Sequence, residues 1–388
     1  MDTKRKIIFL NRKNPESIGG VQRYIARLCA GLSNSFEIEK IGWNGPEWGA
    51  PIFFPLFYYK SIRNGAELVH CDDAVTAIVG ARIKKKSTKK VIAAVHGLDV
   101  ILPIPWYQDK IRKTLMEMDK VICVSAATAK QVRIRGVSDD KIEIIPSVAE
   151  KVENSPPKND LLYQRLQNLT GIDLRGKKVL FSLGRPVRRK GFDTFITDIF
   201  PHLPENCVYI IAGPAPKTPS WIKALGPLLG EKYHRLLLLA SGCDTVHDEL
   251  IKLSSHPRVH YLNEVSDDLR DTLFALSDLF IMPNRTVEGD MEGFGIVALE
   301  ASARGVPVIA TGIEGITDAV IDGHNGYCVG EGETSMMIDI IKSFLDDPRK
   351  LADFGTQSRE FTENNFSSEK VHARYEKVIS GLLDSGKG

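Results

Sequence analysis

Ten short runs of apolar, largely β-branched residues punctuate this chain at helix-length intervals, and that spacing limits the folds open to it. In the first half they are residues 6–10 (K-I-I-F-L), 67–70 (E-L-V-H), 91–95 (V-I-A-A-V), 120–124 (K-V-I-C-V) and 142–145 (I-E-I-I). Strands separated by helices pair in parallel through βαβ crossovers, and both faces of such a sheet are covered. After Pro146 the pattern breaks, and residues 155–160 (S-P-P-K-N-D) have the polar, proline-rich make-up of a linker. It restarts with residues 178–183, 208–212, 259–262, 279–282 and 306–310. A chain of 388 residues has room for two domains of ordinary size. The expected class is α/β, with one parallel sheet in residues 1–165, a second in 166–365, and a closing helix in 366–388. An amphipathic helix is expected over 21–32. A helical stretch from 218 to 255 is longer than a plain crossover needs.

Residues 292–300 read E-G-F-G-I-V-A-L-E and run on through Ala301, Ser302, Ala303 and Arg304 to G-V-P-V-I-A at 305–310. A glycine loop, a helix, a glycine stop and a β-branched strand make one unit of a parallel sheet. Amides that open a helix bind anions, here those of Gly293, Phe294, Gly295 and Ile296. Eight helical residues would advance about 12 Å. Glu292 then stands by the anion and Glu300 two turns along. That separation suits a nucleoside diphosphate sugar, with one carboxylate for sugar hydroxyls and one for ribose hydroxyls. Two solvated helix glutamates are the alternative on spacing alone.

Arg185 and Lys190 follow the run 178–183, with Arg188 and Arg189 between them. Cations at a strand's carboxyl end face the ligand crevice of a doubly wound sheet, and fixed cations stabilise a departing diphosphate. A solvated basic turn is the plainer reading. Gly19 and Gly20 form a loop in which backbone can approach a phosphate closely. His96 follows the run 91–95 and precedes Gly97. Asp72 and Asp73 hold the same place after 67–70, where a helix N-cap is the simplest role. Glu288 and Asp290 add acidity just before Glu292.

Other classes are excluded by what is missing. No G-x-G-x-x-G follows the first strand and no G-x-x-x-x-G-K-[ST] occurs, so the dinucleotide and Walker fingerprints are absent. The six cysteines form no C-x-x-C pair, which argues against a zinc site or disulfide framework and fits a reducing, cytoplasmic setting. The apolar run 7–10 is too short for a signal peptide, and nothing approaches the ~18 apolar residues of a membrane span. The net charge of +2 hides an asymmetry: residues 1–170 carry 27 Lys and Arg against 18 Asp and Glu, the remainder 24 against 31. The densest cluster is Arg82, Lys84, Lys85, Lys86, Lys89 and Lys90. No aromatic-interleaved basic motif supports nucleic acid as its partner. An anionic membrane surface, met together with the aromatic segment 53–59 (F-F-P-L-F-Y-Y), is the expectation; a solvated loop is the alternative. Such binding would make the protein peripheral on the inner membrane face.

The stretch from Glu292 to Glu300, continued by A-S-A-R-G-V-P-V-I-A, resembles the two-glutamate motif of the retaining glycosyltransferases of family 4, which have the GT-B fold. Three further motifs of that family stand in the right order: Gly19-Gly20-Val21-Gln22-Arg23-Tyr24, His96-Gly97, and Gly184-Arg185 with Lys190-Gly191. The resemblance runs from residue 6 to residue 330 and is nearest to phosphatidylinositol mannoside mannosyltransferases and exopolysaccharide enzymes. It implies two Rossmann-like doubly wound domains facing across a cleft, acceptor side first and donor side second. The last helix would cross back to the N-terminal domain. It implies Arg185, Lys190, His96 and Glu292 as the catalytic set. It implies Gly19, Gly20, Val265, Gly293, Phe294, Gly295, Ile296 and Glu300 as donor-binding residues. Val265 stands in N-E-V-S (263–266), where the family reads the nucleobase with backbone atoms. No Asp-x-Asp lies beside the donor elements, so no metal and no cofactor beyond the sugar-nucleotide substrate are expected. The implied reaction moves a hexosyl unit from a nucleoside diphosphate sugar to a hydroxyl of a lipid-linked or polysaccharide acceptor. GDP-mannose is favoured over a UDP-sugar. A sugar-nucleotide epimerase or hydrolase of the same fold and an inactive binding scaffold are the alternatives. The chain departs from the family at 145–148, I-P-S-V, where many relatives carry Ile-Pro-Asn-Gly near the interdomain hinge.

Overall fold

The computed structural model describes residues 4–12, 20–43, 52–152 and 158–385. They build two six-stranded parallel sheets. The chain divides into two compact units, the first made of residues 1–148, 292–296 and 366–388, the second of 149–291 and 297–365.

In the first unit the strands are β1 (Lys6–Asn11), β2 (Glu37–Gly42), β3 (Leu68–Cys71), β4 (Lys90–Val95), β5 (Lys120–Cys123) and β6 (Ile142–Ile144). Their spatial order is β2-β1-β3-β4-β5-β6. Successive side chains of a strand point to opposite faces. Ile8 and Leu10 therefore join Val69, Val91, Ala93, Ile111 and Leu115 on one face. Ile7 and Phe9 join Ile92, Ala94, Tyr24 and Leu28 on the other. With both faces covered, these strands have no use for polar alternation, which is why they read as continuous apolar runs. The second face is completed by the helix Ser368–Asp384. Its residues Val371, Tyr375, Ile379 and Leu383, four apart, form one buried stripe.

In the second unit the strands are β7 (Lys178–Leu183), β8 (Cys207–Ala212), β9 (Val259–Leu262), β10 (Leu279–Met282), β11 (Val308–Thr311) and β12 (Gly326–Val329), ordered β12-β11-β10-β7-β8-β9. Leu180, Tyr209, Ile211, Ile281 and Ile309 pack one face against Phe192, Phe195, Phe200, Phe344 and Phe354. The long crossover is present: helices Ser220–Leu225, Glu231–Ala240 and His247–Leu253 lie between β8 and β9.

Two strands, β2 and β12, escape the search for apolar runs. Both are sheet edges. In β2 only Ile41 is buried, and the rest of E-I-E-K-I-G meets water. The position of these elements matters because ligands of doubly wound sheets bind beyond the strands' carboxyl ends, where the strand order reverses. That reversal falls between β1 and β3 in the first unit, and between β7 and β10 in the second.

Candidate functional site

In the second unit the chain leaves β7 through Gly184, whose amide donates to Ala212 O at 2.8 Å. Gly213, with φ 150°, follows β8, and a Cβ there would lie 2.0 Å from Gly184 O. Only glycine lets the two strand ends close this tightly. Arg185 comes next and is exposed, its Nη1 donating to Gly242 O at 3.3 Å. Lys190 ends a short 3₁₀ turn and is buried. Its side chain runs back across the same corner, since a Cβ on Gly184 would meet Lys190 Cε at 3.4 Å. The two cations thus share one backbone turn at the strand-order reversal. The loop leaving β10 is stitched to that turn: Arg189 Nη1 lies 3.1 Å from Asp290 Oδ2, and Arg285 donates to Arg188 O at 2.8 Å and to Asp193 Oδ2 at 3.0 Å. Asp290 therefore has a structural partner, while Glu288 is exposed.

Glu300 lies on the helix Ile296–Ser302 and is 3% exposed. Arg270 is beside it. Burial alone would lower the Arg270 guanidinium, and the carboxylates of Glu300, Asp271 and Glu150 outweigh burial and raise it. Arg304 Nη2 lies 3.0 Å from Glu150 Oε2 and 2.9 Å from Asp271 Oδ1. Val265 stands half-buried in the loop after β9, just ahead of Ser266, whose hydroxyl caps the helix Asp267–Leu276.

In the first unit His96 follows β4. Its amide donates to Asp99 Oδ1 at 2.9 Å, its Nε2 lies 2.9 Å from Asp72 O, and its ring meets Tyr24 edge-on at 5.7 Å. Residues 292–296 belong to this unit. Gly293 packs so tightly on the His96 backbone that a Cβ would lie 1.8 Å from His96 O, and Thr128 Oγ1 donates to Gly293 O at 3.4 Å. Gly295 has φ 87°. The Phe294 ring is buried against Phe366, at 6.1 Å, so any ligand contact from this residue would come from its backbone. Ile296 packs against the core of this unit. One expectation is corrected here. The helix starts at Ile296, so Glu292 to Glu300 is not eight residues of helix. Gly295 at positive φ is the break that keeps residues 292–295 a loop.

Gly20 opens the helix Gly20–Leu32; Gly19 lies outside the described residues. Asp73 is the N-cap of the helix Ala74–Lys86 in a reciprocal box with Thr76, and Arg12 Nε lies 2.6 Å from its Oδ2. Asp72 is buried with its Oδ1 2.7 Å from His70 Nδ1. Burial pushes the Asp72 carboxyl well up and the His70 imidazole down to about 3. Tyr24 and Tyr375 share a hydrogen bond between hydroxyls close by.

Sequence reasoning missed Arg270, Arg304 and Asp271. Nothing in their spacing marks a network whose members come from separate elements. It also missed the His70–Asp72 pair, which an i, i+2 spacing at a strand end does not distinguish from ordinary polar termini.

The basic cluster is partly engaged. Lys84 Nζ lies 2.8 Å from Asp119 Oδ1, Lys85 Nζ 2.6 Å from Glu117 Oε1, and Lys89 donates to Asn64 O at 2.6 Å. In the segment 53–59, Phe54 and Phe57 are core, while Leu56 and Tyr59 are exposed. No helix of the described residues is long and apolar enough to cross a membrane.

Residues 36–148 match the model of Glycosyltransferase Family 4, and residues 172–361 that of Glycosyl transferases group 1. A Corynebacterium glutamicum protein described as a GDP-mannose-dependent monoacylated alpha-(1-6)-phosphatidylinositol monomannoside mannosyltransferase is 27% identical, covering 98% of this chain and 99% of its own. A Mycolicibacterium smegmatis GDP-mannose-dependent alpha-(1-6)-phosphatidylinositol monomannoside mannosyltransferase is 25% identical over 80% of this chain and 75% of its own. Among solved structures, Anabaena HepE in complex with UDP and glucose superposes with a TM-score of 0.71 at 18% identity, covering 97% of this chain and 100% of its own. Sucrose-phosphate synthase from Thermosynechococcus elongatus does so with a TM-score of 0.76 at 17% identity, over 98% and 100%.

Proposed function

We propose that this chain, which belongs to the glycosyltransferases through a family 4 domain and a group 1 domain, moves a hexosyl unit from a nucleoside diphosphate sugar to a hydroxyl acceptor with retention of configuration. The observation that carries this reading is the meeting of His96 with Gly293, two residues far apart in sequence that are expected at one site. In the second unit, Arg185 and Lys190 on a single turn supply the complementary cationic feature. The donor diphosphate lies against Arg185 and Lys190. Charge grows on that diphosphate as the glycosidic bond breaks. Cations already in place then stabilise the transition state more than the ground state. No side chain is an evident nucleophile. The acceptor hydroxyl attacks from the face the phosphate is leaving, and its proton passes to the departing phosphate oxygen.

Glu300 receives the ribose hydroxyls, with Val265 in the loop beside the base. The relatives whose names specify GDP-mannose favour GDP-mannose as donor, and the UDP complex of HepE makes a UDP-sugar the second candidate. The same relatives favour a lipid-linked acceptor, approached at an anionic membrane surface through Arg82, Lys84, Lys85, Lys86, Lys89 and Lys90. Thermal shift against GDP, UDP and ADP with their sugars tests the donor. A ligand at a hundred times its dissociation constant stabilises by about 2.7 kcal/mol. GDP-mannose should shift the midpoint most, and product NMR should show an α linkage. Indifference to all three nucleotides, or an inverted product, overturns the reading.

A further inference from the structure

The crossover between β8 and β9 carries a surface that the transfer reaction does not use. Trp221, Leu225, Leu228, Leu229 and Tyr233 are exposed at 49, 53, 80, 51 and 62%. They come from the helices Ser220–Leu225 and Glu231–Ala240 and the turn Gly226–Leu229. These pieces pack on one another: Ile222 and Leu239 are buried, and a Cβ on Gly226 would lie 2.4 Å from the His234 ring. Single exposed apolar residues are ordinary, but a group of this density marks an interaction surface. Its charge points to the partner. Lys217, Lys223 and Lys232 are all exposed, against one acidic residue, Glu231, between 214 and 243, while Arg235 Nε lies 3.5 Å from Asp244 Oδ2. Residues 171–388 as a whole hold 24 Lys and Arg against 31 Asp and Glu, so this cationic island stands in an acidic half. Trp, Tyr and Leu interleaved with lysines is the chemistry of a surface that lies in the headgroup layer of an anionic bilayer. The segment is also rooted beside the cationic turn: Arg185 donates to Gly242 O at 3.3 Å, and Thr245 Oγ1 to Pro186 O at 2.6 Å.

We propose that residues 214–240 dock on an anionic lipid bilayer, with Trp221, Leu228 and Tyr233 entering the interface and Lys217, Lys223 and Lys232 meeting lipid phosphates. The proposal deepens the lipid-linked acceptor reading and takes its purpose from it, yet lipid binding is measured without turnover. The full chain is sedimented with vesicles of phosphatidylcholine alone and of equimolar phosphatidylcholine and phosphatidylglycerol. It should bind only the anionic vesicles, with a blue shift of tryptophan emission that W221F removes. W221S/L228S/Y233S should lose binding at least tenfold, and each of K223Q and K232Q should weaken it roughly fivefold. These residues are exposed, so thermal midpoints should stay unchanged. Vesicle binding without hexosyl transfer would sink the proposed function and leave this inference standing. Native binding by the triple serine variant overturns it. A native dimer that the triple variant splits into monomers also overturns it, because the patch then covers a second copy.

Discussion

Lys190 is buried while Arg185, on the same turn, is exposed, and burial decides how each contributes. A lysine at 7% exposure has already lost most of its hydration, so under the proposed reaction it would respond strongly to negative charge growing on the leaving diphosphate. Lys190→Ala should lower kcat by 10²–10³, roughly 3–4 kcal/mol, with little change in donor KM. Arg185→Ala should lose less in kcat, because water competes for its guanidinium. Steady-state kinetics on the two variants checks this, and a pure KM effect in Lys190→Ala would make it a ground-state anchor. A second consequence belongs to His70. Burial holds its folded pKa at about 3 against an ordinary 6.5. Between those values the unfolded chain binds the extra proton, so stability is full above pH 6.5 and falls as pH drops toward 3. About 2 kcal/mol should be gone by pH 5 from this group alone. Asp72, raised by burial, has the opposite sign and loses stability as pH rises through its folded pKa. Urea midpoints at pH 5 and 7 should differ less in His70→Leu than in the native chain. An equal difference refutes a neutral buried His70.

Among the elements, what sequence makes visible and what it hides have separate physical causes. The eight inner strands stand out because burial on both faces favours apolar side chains, and Ile7, Ile8, Phe9 and Leu10 all read 0% exposed. Edge strands such as β2 face water and lose that signature. Within the candidate site, glycines were legible where backbone geometry demands them, as at Gly184 and Gly293. The site was illegible where partners come from different elements, as with Arg270 and Glu300. The short helix after Gly295 shows a third cause: the pattern E-G-F-G-I-V-A-L-E carries helix propensity throughout its second half, but only a positive φ at Gly295 says where the helix begins. Gly293→Ala tests the loop. Its Cβ cannot sit 1.8 Å from His96 O, so loop and His96 must part. Activity should fall at least tenfold with a lower melting midpoint. Gly171→Ala, at φ 76° with open space around it, is the control and should cost only about 1 kcal/mol with activity retained. Equal behaviour of the two variants would show that the close approach has no role.

At the scale of the whole molecule, the helix Ser368–Asp384 belongs to the first unit, far from that unit's other strands and helices in sequence. Its four buried residues cover Ile7, Phe9 and Tyr24. At about 1.5–3 kcal/mol for each large side chain taken out of water, they contribute as much as a domain's entire net stability. Truncation after Asn365 should leave the first unit unable to unfold cooperatively and avid for the dye ANS; a truncated chain with native near-ultraviolet dichroism would show the helix to be dispensable. The same arrangement sets a timetable on the ribosome. Residues emerge at about 5–20 per second, N-terminal first. The first sheet leaves the exit tunnel early, yet its missing wall follows only after the second unit has been made. For roughly ten seconds or more, a nascent chain carries an open apolar face on its oldest part, which makes that face a natural client for a chaperone during synthesis.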